Sequence, residues 1–227
     1  MYVTAIVLAA GRGLRFKEKK SKLLFEINKR PIFIYSLDIL SRHPYIKEII
    51  LAVNAKNKNK IKEKIFEYKI KKIKALIFGG ERRQDSVKNA LKFIDEKTDL
   101  ILIHDASRPF ISKKLVSQVI KTAKRYKTAI LAVPVKATIK KIKKSKSLFI
   151  EKTLKREFLW EAQTPQVFKK DLILEAYKRF GNLEFTDDAS LVEKLGHAVK
   201  VVIGSYFNIK ITTPEDLIIA KAIAKKF

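Results

Sequence analysis

Short runs of Val, Ile, Leu and Ala recur along the chain, each long enough for one strand and separated from the next by a stretch with helical periodicity. Strands are predicted at 2–9 (YVTAIVLA), 49–53 (IILAV), 74–78 (KALIF), 100–104 (LILIH), 129–135 (AILAVPV) and 199–203 (VKVVI). These runs are nearly continuous in apolar residues rather than alternating, as expected of strands buried on both faces. Between them, PIFIYSLDILSR (31–42), QDSVKNALKFIDE (84–96) and SKKLVSQVIKTAKRY (112–126) read as helices. In the second, Val87, Leu91 and Ile94 recur at helical spacing. A last helix is announced by Thr213 as its cap, Pro214 at its first position, and Glu215 and Asp216 at its positive end. Strands alternating with helices in this way predict an α/β layered sandwich with a mostly parallel sheet.

One stretch breaks the rhythm. From 137 to 163, apolar and polar residues alternate in ATIKKI and again in LFIEKTL, about the polar tip KKSKS. That pattern predicts a long hairpin projecting from the sheet. A lone two-stranded ribbon is marginal in water, so it should pack on something, most simply a second copy of the chain. No internal repeat or Gly/Pro/Ser-rich linker divides the 227 residues, so 1–227 reads as one domain with 137–163 as a dimerisation arm.

Composition excludes several classes. The absence of cysteine removes disulfides and cysteine–zinc sites. The first apolar run has no basic leader or cleavage site and enters Gly11 and Arg12 directly, so it does not read as a signal peptide. No apolar run approaches the roughly 18 residues of a membrane helix, and a cytoplasmic protein is expected. The net charge of +27 raises the question of nucleic acid. Its lysines, however, are spread through segments such as KNKNKIKEK and KIKKIK, with no aromatic residues interleaved at stacking intervals. Most of this charge therefore reads as solvated surface, and a nucleic-acid partner is not expected.

The chemistry-bearing residues cluster at the ends of predicted strands. LAAGRGLRF follows the first strand, where backbone amides emerge at the edge at which open α/β sheets bind ligands. Its small residues allow either a phosphate cradle or an ordinary turn. It lacks the third glycine of a dinucleotide fingerprint, and no Walker loop occurs anywhere. GGERRQDSV (79–87) is a second glycine turn that opens a helix. In HDASRP (104–109), Asp105 could hold a divalent cation and Arg108 a phosphate, or the pair could be a capping aspartate beside a surface arginine. Lys210, between Ile209 and Ile211, is either a half-exposed strand residue or an ammonium aimed into an anionic site. No histidine stands beside a motif serine as a nucleophile–base pair. Glycine turns, one cation ligand and several cationic side chains suit phosphoryl chemistry, which needs positioning and charge neutralisation more than a covalent intermediate.

The ordered series LAAGRGLRF…SKLLFEI, GGERRQDSV, IHDASRPF, LAVPVKATIK, LWEAQTPQVF, TDDASLVE and NIKITTPEDL resembles the 2-C-methyl-D-erythritol 4-phosphate cytidylyltransferase family, from residue 4 to about 222. The resemblance implies a Rossmann-like three-layer sandwich with a protruding β-arm exchanged between the subunits of a homodimer. It also implies transfer of a cytidylyl group from CTP to methylerythritol phosphate, with Mg²⁺ and release of pyrophosphate.

By the same resemblance, Arg15 and Lys22 stabilise the transition-state charge, and the backbone of Ala9, Ala10, Gly11 and Gly13 cradles the triphosphate. Gly80, Glu81 and Ser86 match positions that hold cytosine and ribose. Asp105 matches the acidic residue at the metal and substrate, with Arg108 its companion. Thr138 and Arg156 on the arm match residues that bind the acceptor, and Thr164, Thr186 and Lys210 would complete that pocket, with Lys210 on the attacking phosphate. The chain departs from the family pattern at Ser21 and Leu23, which flank Lys22 where proline and glutamine are common. It departs also at Glu81 and Ala137, where aspartate is usual, at Ser107 in place of alanine and at Phe16 in place of methionine. Ribitol-5-phosphate cytidylyltransferase is the nearest rival reading, separated by VPVKATIK and LWEAQTPQ in the arm. A non-catalytic basic nucleic-acid-binding protein is the alternative from a different class.

Overall fold

A computed structural model describes residues 1–11, 16, 21–143 and 148–226. Its centre is a seven-stranded sheet in the order β11-β7-β10-β6-β1-β4-β5. The strands are β1 (Val3–Ala9), β4 (Ile46–Val53), β5 (Ile73–Phe78), β6 (Leu100–Asp105), β7 (Thr128–Pro134), β10 (Trp160–Lys169) and β11 (Lys200–Ile203). All neighbours pair in parallel except β10, which runs antiparallel to both β6 and β7. The six expected strands are all present, within a few residues of their expected ends. Two short strands, β2 (Glu26–Ile27) and β3 (Arg30–Pro31), form a tight hairpin whose turn places Asn28 and Lys29 at positive φ.

Apolar side chains leave each central strand on both sides, which is why the runs carry no alternation. Ala5 and Val7 point into one core with Leu102, while Ile6 points into the other with Ile101 and Ile103. The first core is closed by α1 (Ile32–Ser41), α2 (Lys58–Glu67), α4 (Lys113–Tyr126) and α7 (Pro214–Ala224), through residues such as Leu37, Ile61, Val116 and Ala220. The second is closed by α3 (Arg83–Leu91), α5 (Lys170–Phe180) and α6 (Asp188–Lys194), through Val87, Ile173 and Leu191. Each such leucine, isoleucine or valine contributes about 1.5–3 kcal/mol by leaving water.

The helix ends follow their sequence signals. The Ser112 side chain accepts from the Leu115 amide at the start of α4, and Thr213 and Asp216 form a reciprocal capping box under Pro214 at the start of α7. Helix α3 stops at Leu91, short of the expected 96, although Ile94 still packs on the second core.

The hairpin is narrower than 137–163. Its strands are β8 (Lys140–Ile142) and β9 (Ile150–Thr153), every described residue of which is exposed. The chain has rejoined the main sheet by Trp160, which pairs with Pro134, so 160–163 belong to β10 rather than to the ribbon.

In chain order, β1 connects outward to β4 and β5 on one side and the chain then returns to β6 on the other. The strand order therefore reverses at β1, and a crevice opens at the carboxyl ends of β1 and β6, where Leu8 and Asp105 are register partners.

Candidate active site

The crevice holds a cavity of about 330 Å³ whose wall includes Ala10, Gly11, Lys22, Gly80, Arg83 and Lys210, with Asp105 at the end of β6. Glu81, Ser86, Ser107 and Thr212 also line it. Ala9 lies beside it in the core, while Gly13 and Arg15 are outside the described residues.

The glycine turn after β5 has a steric origin. A Cβ on Gly79 would fall 2.2 Å from the Ala10 Cβ and 2.7 Å from the Ser86 Oγ, so only glycine lets this turn approach the end of β1. The Gly80 amide donates to the Ser86 hydroxyl at 3.0 Å, which folds the turn over the start of α3. Ser86 is therefore partly occupied in shaping the loop.

At the centre, Asp105 carries two cations. Lys210 Nζ lies 2.6 Å from Oδ2 and Arg83 Nε lies 3.1 Å from Oδ1. Burial alone would raise the carboxyl, but Arg83 and Lys210 outweigh it and hold Asp105 well below the usual carboxylate range. The Asp105 amide donates to the Thr164 hydroxyl at 3.0 Å, and that hydroxyl lies 3.0 Å from His104 Nδ1. His104 is fully buried, and burial pushes its pKa down to about 4, so the ring is neutral; its Nε2 lies 3.3 Å from the Arg108 carbonyl. Lys22 enters from a 3-10 turn (Lys22–Leu24) and donates to the Ile211 carbonyl at 2.9 Å. The Ile211 amide in turn donates to the Ser107 carbonyl, which ties the Lys210 segment to the loop after β6.

Other expected site residues lie elsewhere. Thr164 is buried, and its hydroxyl braces Asp105 rather than lining the cavity. Arg108 donates to the Asn208 and Ala162 carbonyls at 2.7 and 3.4 Å, and burial lowers its pKa. Thr186 is exposed just ahead of α6. Thr138 and Arg156 are exposed next to the ribbon, and the Arg156 guanidinium donates to the Lys136 carbonyl. The single chain thus brings Ala10, Gly11 and the glycine turn after β5 together with Lys22, Asp105 and Lys210, but not Thr138 or Arg156.

Sequence reasoning assigned no role to Arg83. Besides Asp105, it pairs with Asp188 at 2.7 Å, and Asp188 is fully buried. The signal that could have exposed it is the Arg82-Arg83 pair at a helix start, where the dipole disfavours cations unless acidic partners are present.

Along its length the chain matches known proteins. The IspD family, 2-C-methyl-D-erythritol 4-phosphate cytidylyltransferase, matches residues 3–226. The chain belongs to this family. Proteins named 2-C-methyl-D-erythritol 4-phosphate cytidylyltransferase are similar to it: one from Dictyoglomus thermophilum is 46% identical, covering 99% of this chain and 97% of the relative. Another from Syntrophus aciditrophicus is 44% identical, covering 99% and 96%. Among solved structures, the 4-diphosphocytidyl-2C-methyl-D-erythritol synthase of Anaerococcus prevotii superposes with a TM-score of 0.85 at 36% identity, covering 99% of this chain and 96% of that one. Cytidylyltransferases of this family are nucleotidyltransferases, and the cavity at the switch point is where the Rossmann-like fold of the family presents its strand-end loops.

Proposed function

We propose that the chain transfers a cytidylyl group from CTP to 2-C-methyl-D-erythritol 4-phosphate, giving 4-diphosphocytidyl-2-C-methyl-D-erythritol and pyrophosphate. The observation that carries the reading is the Lys210–Asp105–Arg83 cluster beside Ala10 and Gly11 at the end of β1 and the glycine turn after β5, at the switch point. Backbone groups at Ala10 and Gly11 take the triphosphate, and the turn at Gly80 and Glu81 takes the nucleoside. An oxygen of the acceptor phosphate attacks the α-phosphorus as the bond from that phosphorus to the bridging oxygen breaks. Pyrophosphate leaves in line with that electron pair. Lys22 and Lys210, with Arg15 in the family's position, neutralise the charge that builds on the phosphoryl oxygens. For Lys210 this means leaving the Asp105 carboxylate for a phosphate oxygen.

The donor set suits Mg²⁺ carried in with the nucleotide. Among the described residues no group of three or more His, Asp or Glu could cage a metal, and Mg²⁺ commonly uses one or two carboxylates plus substrate phosphates. Asp105 would be its protein ligand, and the ion when bound would screen the triphosphate charge.

The acceptor half requires a second copy. Thr138 and Arg156 lie outside the cavity, and the ribbon near them with the segment that follows it exposes Leu148, Phe149, Ile150, Phe158 and Trp160. A homodimer joined through the ribbons would cover these side chains and bring arm residues to the partner's crevice. No helix among the described residues is long and apolar enough to cross a membrane.

Pyrophosphate release from CTP and Mg²⁺, with methylerythritol 4-phosphate and ribitol 5-phosphate as parallel acceptors, tests the reading. Release with the first acceptor alone is the expected result. Release with ribitol 5-phosphate alone would keep the nucleotide half and overturn the acceptor assignment, and silence with both would overturn the transfer itself.

A further inference from the structure

Behind the cavity lies a buried polar ring that the transfer mechanism does not use. Asp188, the first residue of α6, has no exposed surface. One carboxylate oxygen accepts from the Tyr177 hydroxyl at 2.6 Å, and the other accepts from Arg83 Nη1 at 2.7 Å. Arg83 then reaches Asp105 through Nε, and its remaining nitrogen, Nη2, is buried with no hydrogen-bond partner among the described residues. The guanidinium is therefore aimed by two carboxylates, one in the cavity and one beneath it.

The ring closes through β10. Gln166 Oε1 accepts from the amides of both Asp188 and Ala189 at 3.1 Å, and Gln166 Nε2 donates to Asp187 Oδ2 at 2.7 Å. Two residues earlier on the same strand, Thr164 receives the Asp105 amide. Asp105 is thus held from both its ends, by Thr164 at its backbone and by Arg83 at its carboxylate, and both holds trace back to the start of α6.

We propose that Asp188 is a positioning residue for cytidylyl transfer: it aims Arg83, and Arg83 fixes the rotamer in which Asp105 meets Lys210. The inference rests on the assignment made above. Asp188 touches neither cavity nor substrate, so its loss leaves nucleotide binding in place and acts on the chemical step. When Lys210 moves to a phosphate oxygen, Arg83 is the cation that keeps Asp105 in position, and a guanidinium released from Asp188 is free to follow the phosphate instead.

A cycle of variants tests this. Asp188→Asn should lower kcat at least tenfold while changing KM for CTP by less than about threefold, and Arg83→Gln should lower kcat by at least as much. Because Asp188 acts through Arg83, the double variant should turn over no more slowly than Arg83→Gln alone. Losses that multiply, or a rise in KM that accounts for the loss, would overturn the proposal. Asp188→Asn takes away one of the two carboxylates that hold the buried Arg83 guanidinium and could fail to fold. The double variant has no guanidinium there, and its kcat against that of Arg83→Gln decides the question alone. If the wild type transfers to neither acceptor, the assignment has failed; if it transfers and the cycle is multiplicative, only the positioning role has failed.

Discussion

Lys210 Nζ sits 2.6 Å from Asp105 Oδ2, so the lysine proposed to meet an incoming phosphate is paired with an internal anion. Asp105 holds the ammonium at the cavity wall and matches its charge. On the proposed mechanism, replacing the lysine removes a charge that the transition state uses. Lys210→Ala is expected to lower kcat by about 10²–10³, the usual loss on removing one preorganised donor. Pyrophosphate release under saturating CTP would check it.

Lys22 reaches the cavity from a different loop and should behave similarly. Lys22→Ala, and Arg15→Ala with it, are expected to lower turnover far more than CTP binding. Comparing single-turnover rates with CTP affinity measured by calorimetry separates the two effects, and ordinary turnover with either alanine would contradict a transition-state role.

Gly79→Ala should damage both fold and site. The new methyl would meet the Ala10 Cβ at 2.2 Å, a distance that forces one of the two turns to move. Overpacking of this kind costs about 1–3 kcal/mol, and the displaced turn carries Gly80 and Glu81 with it. A lower urea midpoint together with weaker CTP binding is the expected pair of results.

Two buried histidines make stability fall in mild acid. Burial, with Lys113 and Lys72 nearby, lowers His43 to about 4, and burial lowers His104 to about 4. Both lie below the ordinary histidine value, so between about 4 and 6.5 the unfolded chain binds protons that the folded chain does not. The stabilisation is complete above about 6.5 and declines as pH falls toward 4, by up to about 1.4 kcal/mol per pH unit for each histidine. Urea unfolding at pH 7 and pH 5 should show the loss, and His43→Gln should reduce it.

Exposed apolar residues on the ribbon and on the segment that follows it give a prediction about assembly. Phe149 and Phe158 are 67% and 80% exposed in the single chain. Sedimentation of the wild type should report a dimer, and Phe149→Asp or Phe158→Asp should shift it toward monomer and reduce turnover with the acceptor. A wild-type monomer of full activity would remove the second copy from the site.

The sheet was legible wherever strands are buried on both faces, because solid apolar runs have few other uses. Strand β10 was not, since it carries Gln163, Thr164 and Gln166 into the interior and satisfies them with Ser205, His104 and Asp187. Only the fold supplies those partners. In the site, Ala10, Gly11, Gly80, Asp105 and Lys210 could be read because each lies at the end of a strand or in a short apolar segment. Arg83 and Asp188 could not, because their pairing spans 105 positions and neither has a local signature. The resemblance assigns Thr164 to the acceptor pocket, and the fold adds a hydrogen bond from the Asp105 amide to its hydroxyl that no local sequence pattern announces.

Because β7 and β10 are antiparallel neighbours, everything between them, ribbon included, is topologically the loop of one hairpin. Such a loop can be lengthened, shortened or exchanged without re-threading any strand, while the carboxyl ends of β1 and β5 stay in place. On the proposed assignment, a change confined to that insertion alters Thr138 and Arg156 and leaves Asp105, Lys22 and Lys210 in the crevice untouched.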